Sequence, residues 1–551
     1  MSDKNKGNNF LMQGTILAVA AIITKFIGLA YRIPLTNIMG AEGNGYYGAV
    51  FQVYNLALML TSYSLPMAVS KLVSARAATG QHRNAFRIFK GAMSFAVISG
   101  GIVTGVVFFG AGYISKHIMK LEMSVYALRV LAPCIIIVAI LGVLRGFFQG
   151  YGTMVPTALS QIAEQIINAI VSVAGAYLLM KTGESMASGA AKNTYGSAYA
   201  AAGGTLGTVM GALTALLFMI FVFALCYKKK LRRSLVKDTK HREESNKEIY
   251  KVLLFTIAPV ILSATVYNIS NLLDQTMFTN IMAAQGVPEK TYAELLGMFN
   301  GQYDTMTNIP LNISNALAAS FIPSLVATIQ TGTKKEIHAK INLVSRFNMM
   351  LAIPCAAGFI ALAGPILNLL YFTQDNTVPA MLLRIGGISI VFFCLSTVTN
   401  AALQGMDRMS QPVKNAAISL VVHLIALFIM LVVFKWSIYS IVVSKIVFAG
   451  LIVILNAKDL YKACGYTQEK KRAFVIPAIA AVIMAIAANV ANFLFSFLIG
   501  GRAATIVAIF VAMVVYGVAL IRLGGVNKAE LLSMPKGALL VKVLKKVRLL
   551  K

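Results

Sequence analysis

Acidic residues are scarce in this chain: 19 Asp and Glu stand among 551 residues, against 49 Lys and Arg. Charged residues of either sign make up only 12%, while 58% are hydrophobic and the mean hydropathy is +0.75. A soluble domain carries roughly a quarter charged residues, so that class is excluded. The five cysteines (134, 226, 355, 394 and 464) show no metal-binding or redox spacing, and the five histidines form no ligand cluster. No metal is expected. No Gly-rich loop ends in Gly-Lys-Ser/Thr, so no ATPase domain is fused here and no cofactor is implied. A membrane-embedded glycosyltransferase would need a catalytic acid near a membrane face, often with a metal-binding acidic pair, and the short loops offer none. The chain reads as a transporter rather than an enzyme, driven by a gradient or by the substrate itself.

What is abundant is apolar sequence. About fourteen runs are long enough to span a bilayer, from 10–33 and 46–70 at one end to 474–499 and 503–523 at the other. The fold class is therefore an all-α polytopic membrane protein. Ala18-Val19-Ala20 resembles a signal-cleavage site, but the run continues well beyond it, so an uncleaved helix is expected. The net charge of +30 invites a nucleic-acid reading, and its distribution argues against one. If the N-terminus is inside, 36 of the 49 Lys and Arg fall in cytoplasmic segments and 7 in outer loops. That bias places both termini in the cytoplasm of a multi-pass protein. The basic run from Tyr227 to Lys251 then sets topology and touches anionic membrane lipid.

The chain also repeats itself. At an offset of 255, Leu128 meets Leu383, Arg129 meets Arg384, and Gln149-Gly150 meets Gln404-Gly405; at 257, Asn55 meets Asn312. Six spans per copy is an even number, so the copies share one orientation, with a central cavity between two lobes. The expected domains are an N-lobe at 1–227, a basic linker at 228–251 and a C-lobe at 252–457. Two further helices follow at 458–523, then a basic tail at 524–551.

Within "ITKFIGLAYRIPL" (23–35), Lys25 and Arg32 lie inside an apolar run, where a basic residue costs about 2.5–3.5 kcal/mol on insertion scales. Gly14, Ala18, Ala21, Lys25, Gly28 and Arg32 recur at four- and three-residue steps and form one stripe. The stripe predicts a packed small-residue face that turns both cations toward an anion-binding cavity; the blander alternative is that Arg32 snorkels and Lys25 pairs with a carboxylate. Arg129 and Arg384 sit about one turn inside their spans, where snorkelling is an equal alternative to substrate contact. Glu164 and Asp274 have no acidic counterpart in the other copy, which points to ion coupling or to charge pairing. The Gly142-x3-Gly146-x3-Gly150 and Gly203-x3-Gly207-x3-Gly211 runs read as packing faces.

The stretches "GTILAVAAIITKFIGLAYRIPLTNIMG" (14–40), "LRGFFQGYGTMVPTALSQIAEQ" (144–165) and "ALQGMDRMSQPVKNAAISLVV" (402–422) carry a family resemblance. The chain resembles the polysaccharide-biosynthesis branch of the multidrug/oligosaccharidyl-lipid/polysaccharide flippase superfamily, nearest its MurJ-type lipid II flippases and stage V sporulation protein B group. The resemblance implies a V-shaped two-lobe transporter in the bacterial cytoplasmic membrane. It would move an undecaprenyl-diphosphate-linked cell-wall precursor, lipid II above all, from the inner to the outer leaflet for peptidoglycan synthesis. Roles in cell shape or sporulation, and contact with the cell-wall synthesis machinery, belong to the same implication. Lys25 and Arg32 fit the family's basic residues on helix 1. Family members of the Gram-negative type also carry arginines on helices 2 and 8, whereas 43–70 and 295–324 here contain no Lys or Arg. Arg129, Arg384, Asn55, Asn308 and Asn312 are then the remaining candidates for the diphosphate. A flippase for teichoic-acid, capsule or spore-cortex units, or a cation-coupled multidrug antiporter using Glu164 or Asp274, are the alternatives.

Overall fold

The structure is a computed structural model that describes residues 3–526, apart from 190, 228–231, 233, 237, 239 and 240; side chains are described from residue 16 onward, with a few further gaps. Most of the basic linker's first half and nearly all of the basic tail thus lie outside the described residues. Among the described residues there are helices and no strands. The principal helices are α1 (Asp3–Thr61), α2 (Leu65–Ala78), α3 (His82–Phe109), α4 (Val125–Leu131), α5 (Cys134–Gly150), α6 (Val155–Ser185), α7 (Ala191–Val222), α8 (Asn246–Ala284), α9 (Glu289–Gly297), α10 (Asp304–Thr331), α11 (Lys334–Ala361), α12 (Ala363–Leu370), α13 (Thr377–Gly405), α14 (Ser410–Val432), α15 (Tyr439–Cys464), α16 (Ile476–Ile499) and α17 (Gly501–Arg522).

Twelve stretches of the described residues are long and apolar enough to cross a membrane, so the chain is a multi-pass membrane protein, though the expected count of fourteen is not reached. The first stretch, Val19–Ala78, runs for 60 residues, whereas one crossing needs about 20. It breaks at Gly40, whose φ of 67° and ψ of −178° lie in a region that is essentially glycine-only. Asn44 closes the break: its amide nitrogen donates to Thr36 O at 2.9 Å and to Gly40 O at 2.7 Å, satisfying carbonyls the interrupted helix leaves open. Helix α8 is not among the twelve; it carries Asn268, Asn271, Asp274 and Gln275 along its length.

The chain divides into two compact units, residues 1–301 and 302–551. In the first, both glycine runs are packing faces, as expected. A Cβ at Gly211 would lie 2.6 Å from Glu164 O, and one at Gly146 would lie 2.6 Å from Pro66 O. Small residues thus bring α7 against α6 and α5 against α2, the means by which helices associate where lipid removes the hydrophobic drive. Helices α8 and α9 group with this unit by packing, although the sequence repeat assigns them to the second lobe. Close approaches explain it: for α9, a Cβ on Gly297 would come within 2.7 Å of the Ala41 carbonyl carbon and one on Gly45 within 2.8 Å of that of Ala293, and for α8, a Cβ on Gly91 would come within 2.9 Å of Ile249.

The second half of the linker clasps the start of α3. Arg76 holds Glu244 with two bonds of 3.0 Å, Arg87 holds Glu243 at 2.6 Å, and the backbone N–H of Arg83 donates to the buried Asp238 at 2.8 Å. Burial pushes the Asp238 carboxyl up. The Arg83 and His241 hydrogen bonds and the nearby His241 and His82 charges outweigh it and hold the group below the usual range.

The second unit repeats the device. Arg346 donates to Glu469 at 2.5 Å and Tyr466 to Asn342 at 2.8 Å, fastening the segment after α15 to α11. Its interior is stitched by amides: Asn415 donates to Asn456 at 2.9 Å, and Asn456 to Asn400 at 2.7 Å. Helices α16 and α17 meet through Ala488, Ala491, Ala508 and Ala512, and leave Phe497 and Leu498 exposed.

Candidate functional site

The site is built on the first half of α1 and the helix face of α6 that it packs against. Arg32 is half-buried, and its guanidinium carbon lies 4.4 Å from the centroid of the Tyr47 ring. In an unbroken helix those residues would be about 22 Å apart at 1.5 Å per residue. The turn at Gly40 is what brings them together. A guanidinium beside an aromatic ring still has N–H groups at its edge, where a phosphate can take two of them. Among the described residues no carboxylate forms an ion pair with Arg32.

Its neighbour Tyr31 accepts from the Asn168 amide at 3.1 Å. Asn168 is buried, and its carbonyl oxygen accepts from Ser172 at 2.8 Å, which fixes the amide's orientation. Gln165 lies beside Gly28, whose Cβ, if present, would sit 3.9 Å from its side-chain oxygen. Two adjacent turns of α1, at Gly28 and Tyr31, thus meet a polar face of α6.

The expected stripe is corrected in part. Ala21 and Lys25 are exposed, Gly28 and Arg32 are half-buried, and Gly14 and Ala18 have side chains outside the described residues. The buried side is one position off: Ala20 is 2% exposed and Leu35 fully buried, because α6 and α7 take the face that includes Thr24 and Tyr31. Lys25 therefore stands at the edge of the packed face rather than within it.

Glu164 is paired. It accepts from Arg145 at 2.8 Å, while Ser160 accepts from the same guanidinium at 3.0 Å, and both charged side chains are mostly buried. Arg145 falls near the end of its apolar run in the sequence, yet it is an interior cation of α5. At the repeat offset of 255 its counterpart is Asn400, already engaged in the amide network of the second unit. The acid and base of one copy are replaced together in the other by neutral groups. Asp274 is buried on α8 beside Gln275, which exchanges two hydrogen bonds with Asn300 at 3.0 and 3.1 Å.

The remaining candidates are dispersed. Arg129 on α4 and Asn55 on the second part of α1 are exposed in the first unit; in the second, Arg384 on α13 is exposed and Asn312 on α10 half-buried. Asn308 donates to Asp304 at 3.0 Å. Sequence reasoning missed Tyr31, Tyr47, Gln165, Asn168 and Arg145. A hint was present in the polar spacing of Gln161, Glu164, Gln165 and Asn168, which marks one side of a helix.

The family model for polysaccharide biosynthesis proteins matches residues 10–329. The chain belongs to that family. Among curated relatives it is 24% identical over 430 residues to the lipid II flippase MurJ of Bacillus subtilis strain 168, covering 75% of this chain and 76% of the relative. It is 23% identical over 455 residues to the stage V sporulation protein B of the same organism, covering 82% and 83%. Among solved structures, the inward closed conformation of lipid II flippase MurJ superposes with a TM-score of 0.66 at 13% identity, over 92% of this chain and 98% of that one. This member of the polysaccharide biosynthesis family thus has the MurJ-like fold, and its named relatives include a flippase rather than an enzyme. Arg32 and the α6 face lie within the matched residues.

Proposed function

We propose that the chain is a flippase that carries an undecaprenyl-diphosphate-linked cell-wall precursor, lipid II, from the inner to the outer leaflet of the bacterial cytoplasmic membrane by alternating access. One contrast carries the reading. Of two interior arginines in the first unit, Arg145 is neutralised by Glu164, while Arg32 rests on a tyrosine ring with no carboxylate partner among the described residues. A cation held at membrane depth without an acid is suited to an anion that comes and goes.

A diphosphate headgroup carries about two negative charges, and moving it unpaired through hydrocarbon would be prohibitive. Arg32 and Lys25 lower that barrier, about 10 Å apart along α1, so that one headgroup meets them in succession while its tail stays in lipid. Few cations suffice, since binding must be weak enough to release. Asn55, Asn312, Arg129 and Arg384 are proposed as further contacts, from lobes that correspond to the repeats 10–227 and 252–457. A cation-coupled antiporter is less well supported, because the Glu164 carboxylate is already committed to Arg145. A flippase for another polyprenyl-linked glycan would use the same cations and differ in the sugar.

Complementation of a flippase-depleted strain tests the proposal. The intact chain should restore growth, and Lys25→Ala and Arg32→Ala should fail at normal protein abundance; rescue by both variants would refute it. The termini and linker are proposed to be cytoplasmic, and labelling of Ser234→Cys from outside intact cells would overturn that topology.

A further inference from the structure

The basic side of the first unit holds a cleft that the transport reading does not use. Arg87, Lys90, Gly91, Asn246, Ile249 and Tyr250 enclose about 340 Å³ between the starts of α3 and α8. Its polar lining offers cations and donors. Arg87 is held in place from behind, donating to Glu243 at 2.6 Å and to the Asn246 amide oxygen at 3.2 Å. With one lone pair of its oxygen so engaged, Asn246 still has its NH2, a donor, to offer. Lys90 is exposed, with its ammonium 4.9 Å from the Phe86 ring and no ion pair among the described residues. No lining residue is acidic. Two carboxylates close by in sequence are committed, Glu243 to Arg83 and Arg87, and Glu248 to the backbone N–H of Ser245 at 2.6 Å.

The floor of the cleft exists because residue 91 lacks a side chain; a Cβ there would come within 2.9 Å of Ile249. Beyond the floor, both helices turn apolar and exposed. On α8, Leu254 and Phe255 are 49% and 73% exposed, and on α3, Val97 and Ile98 are 44% and 57% exposed. A cationic cleft that continues into bare hydrocarbon-compatible surface matches an amphiphile, with its phosphate in the cleft and its chains along α3 and α8. A soluble phosphate would gain nothing from that surface.

We propose that this cleft is a binding site for an anionic phospholipid of the inner leaflet, taking the phosphodiester of a phosphatidylglycerol-class headgroup between Arg87 and Lys90. Tyr250 and Asn246 supply the rim at headgroup depth, where aromatic and amide side chains are at home. The site is separate from the α1 cations and stands or falls without them.

The test uses the purified full chain in detergent with a photoreactive phosphatidylglycerol, a photoreactive phosphatidylcholine of the same chains, and free glycerol phosphate as competitor. Crosslinks from phosphatidylglycerol should map to residues 86–98 and 249–255, exceed those from phosphatidylcholine, and survive millimolar glycerol phosphate. Lys90→Gln, which disturbs only a ring contact, should lower the phosphatidylglycerol yield about fivefold, the equivalent of about 1 kcal/mol for one interfacial cation. Arg87→Gln should do so too, with thermal unfolding checking that the clasp to Glu243 has not taken the fold with it. Equal yields from the two lipids, or unchanged yield in Lys90→Gln, would overturn the proposal. Displacement by glycerol phosphate would assign the cleft to a soluble anion instead.

Discussion

The guanidinium of Arg32 stands 4.4 Å from the ring of Tyr47, fifteen residues further along the chain and on the far side of the Gly40 break. The ring gives a half-buried cation a partner that does not cancel its charge. If that contact positions Arg32 for the substrate, the ring carries more of the effect than the hydroxyl, which lies against Thr208 and Arg32. Tyr47→Phe should keep most of the transport rate. Tyr47→Leu should lose several-fold, in keeping with about 0.5–2 kcal/mol for a cation over an aromatic face. Initial rates of lipid-linked precursor transfer in proteoliposomes measure both.

The Arg145–Glu164 pair makes the opposite prediction, on stability rather than turnover. Glu164→Gln leaves a mostly buried guanidinium without its counter-charge and should lower stability by about 2 kcal/mol, less than for a fully buried pair because both side chains keep some exposure. Replacing both, as Arg145→Met with Glu164→Leu, should recover most of the loss. Thermal unfolding of Glu164→Gln and of the double variant reads this directly. An unaltered midpoint in Glu164→Gln would show the pair to be idle, and a transport defect without a stability defect would return Glu164 to the role of a coupling carboxylate.

Acid should open the linker clasp. The Asp238 carboxyl is held below its usual range, so its contribution is present above the unfolded pKa and is lost as pH falls through the depressed folded value. The clasp should therefore persist through neutral pH and well into the acid range. It should loosen only below the ordinary carboxylate range, beneath about pH 4. Asp238→Asn should remove Asp238's share of this transition and leave the share of Glu243 and Glu244, which hold Arg87 and Arg76. Hydrogen exchange at 241–246, compared between the two proteins along an acid series, is the measurement; identical profiles would show that Asp238 does not hold the segment.

Helices, spans and the two glycine packing faces were legible because each is a local matter of apolar length or four-residue spacing. The functional side chains were legible only singly. Lys25, Arg32 and Glu164 announce themselves as charges in apolar runs, but their partners do not. Tyr47 becomes Arg32's neighbour only after a reversal at Gly40. Arg145 looks like a loop cation because it falls near the end of its apolar run, and only the packing of α5 against α6 reveals that it is paired. The phase error on α1, which put Ala21 rather than Ala20 inside, has the same origin. Small-residue spacing narrows the face to about a quarter turn, and which edge is buried is decided by what α6 and α7 present. The grouping of α8 and α9 with the first unit likewise rests on close approaches at Gly91 for α8 and at Gly45 and Gly297 for α9, which a repeat alignment does not contain.

The central claim is that the cations on α1, Arg32 above all, carry a diphosphate headgroup across the bilayer. Purified protein in liposomes loaded with fluorescent lipid II on one leaflet, with headgroup accessibility followed over time, tests it most directly. The account predicts transfer by the intact chain and a loss of about tenfold or more, equivalent to about 1.4 kcal/mol, in Arg32→Ala and in Lys25→Ala at unchanged unfolding temperature. Transfer by both variants at the intact protein's rate would contradict it.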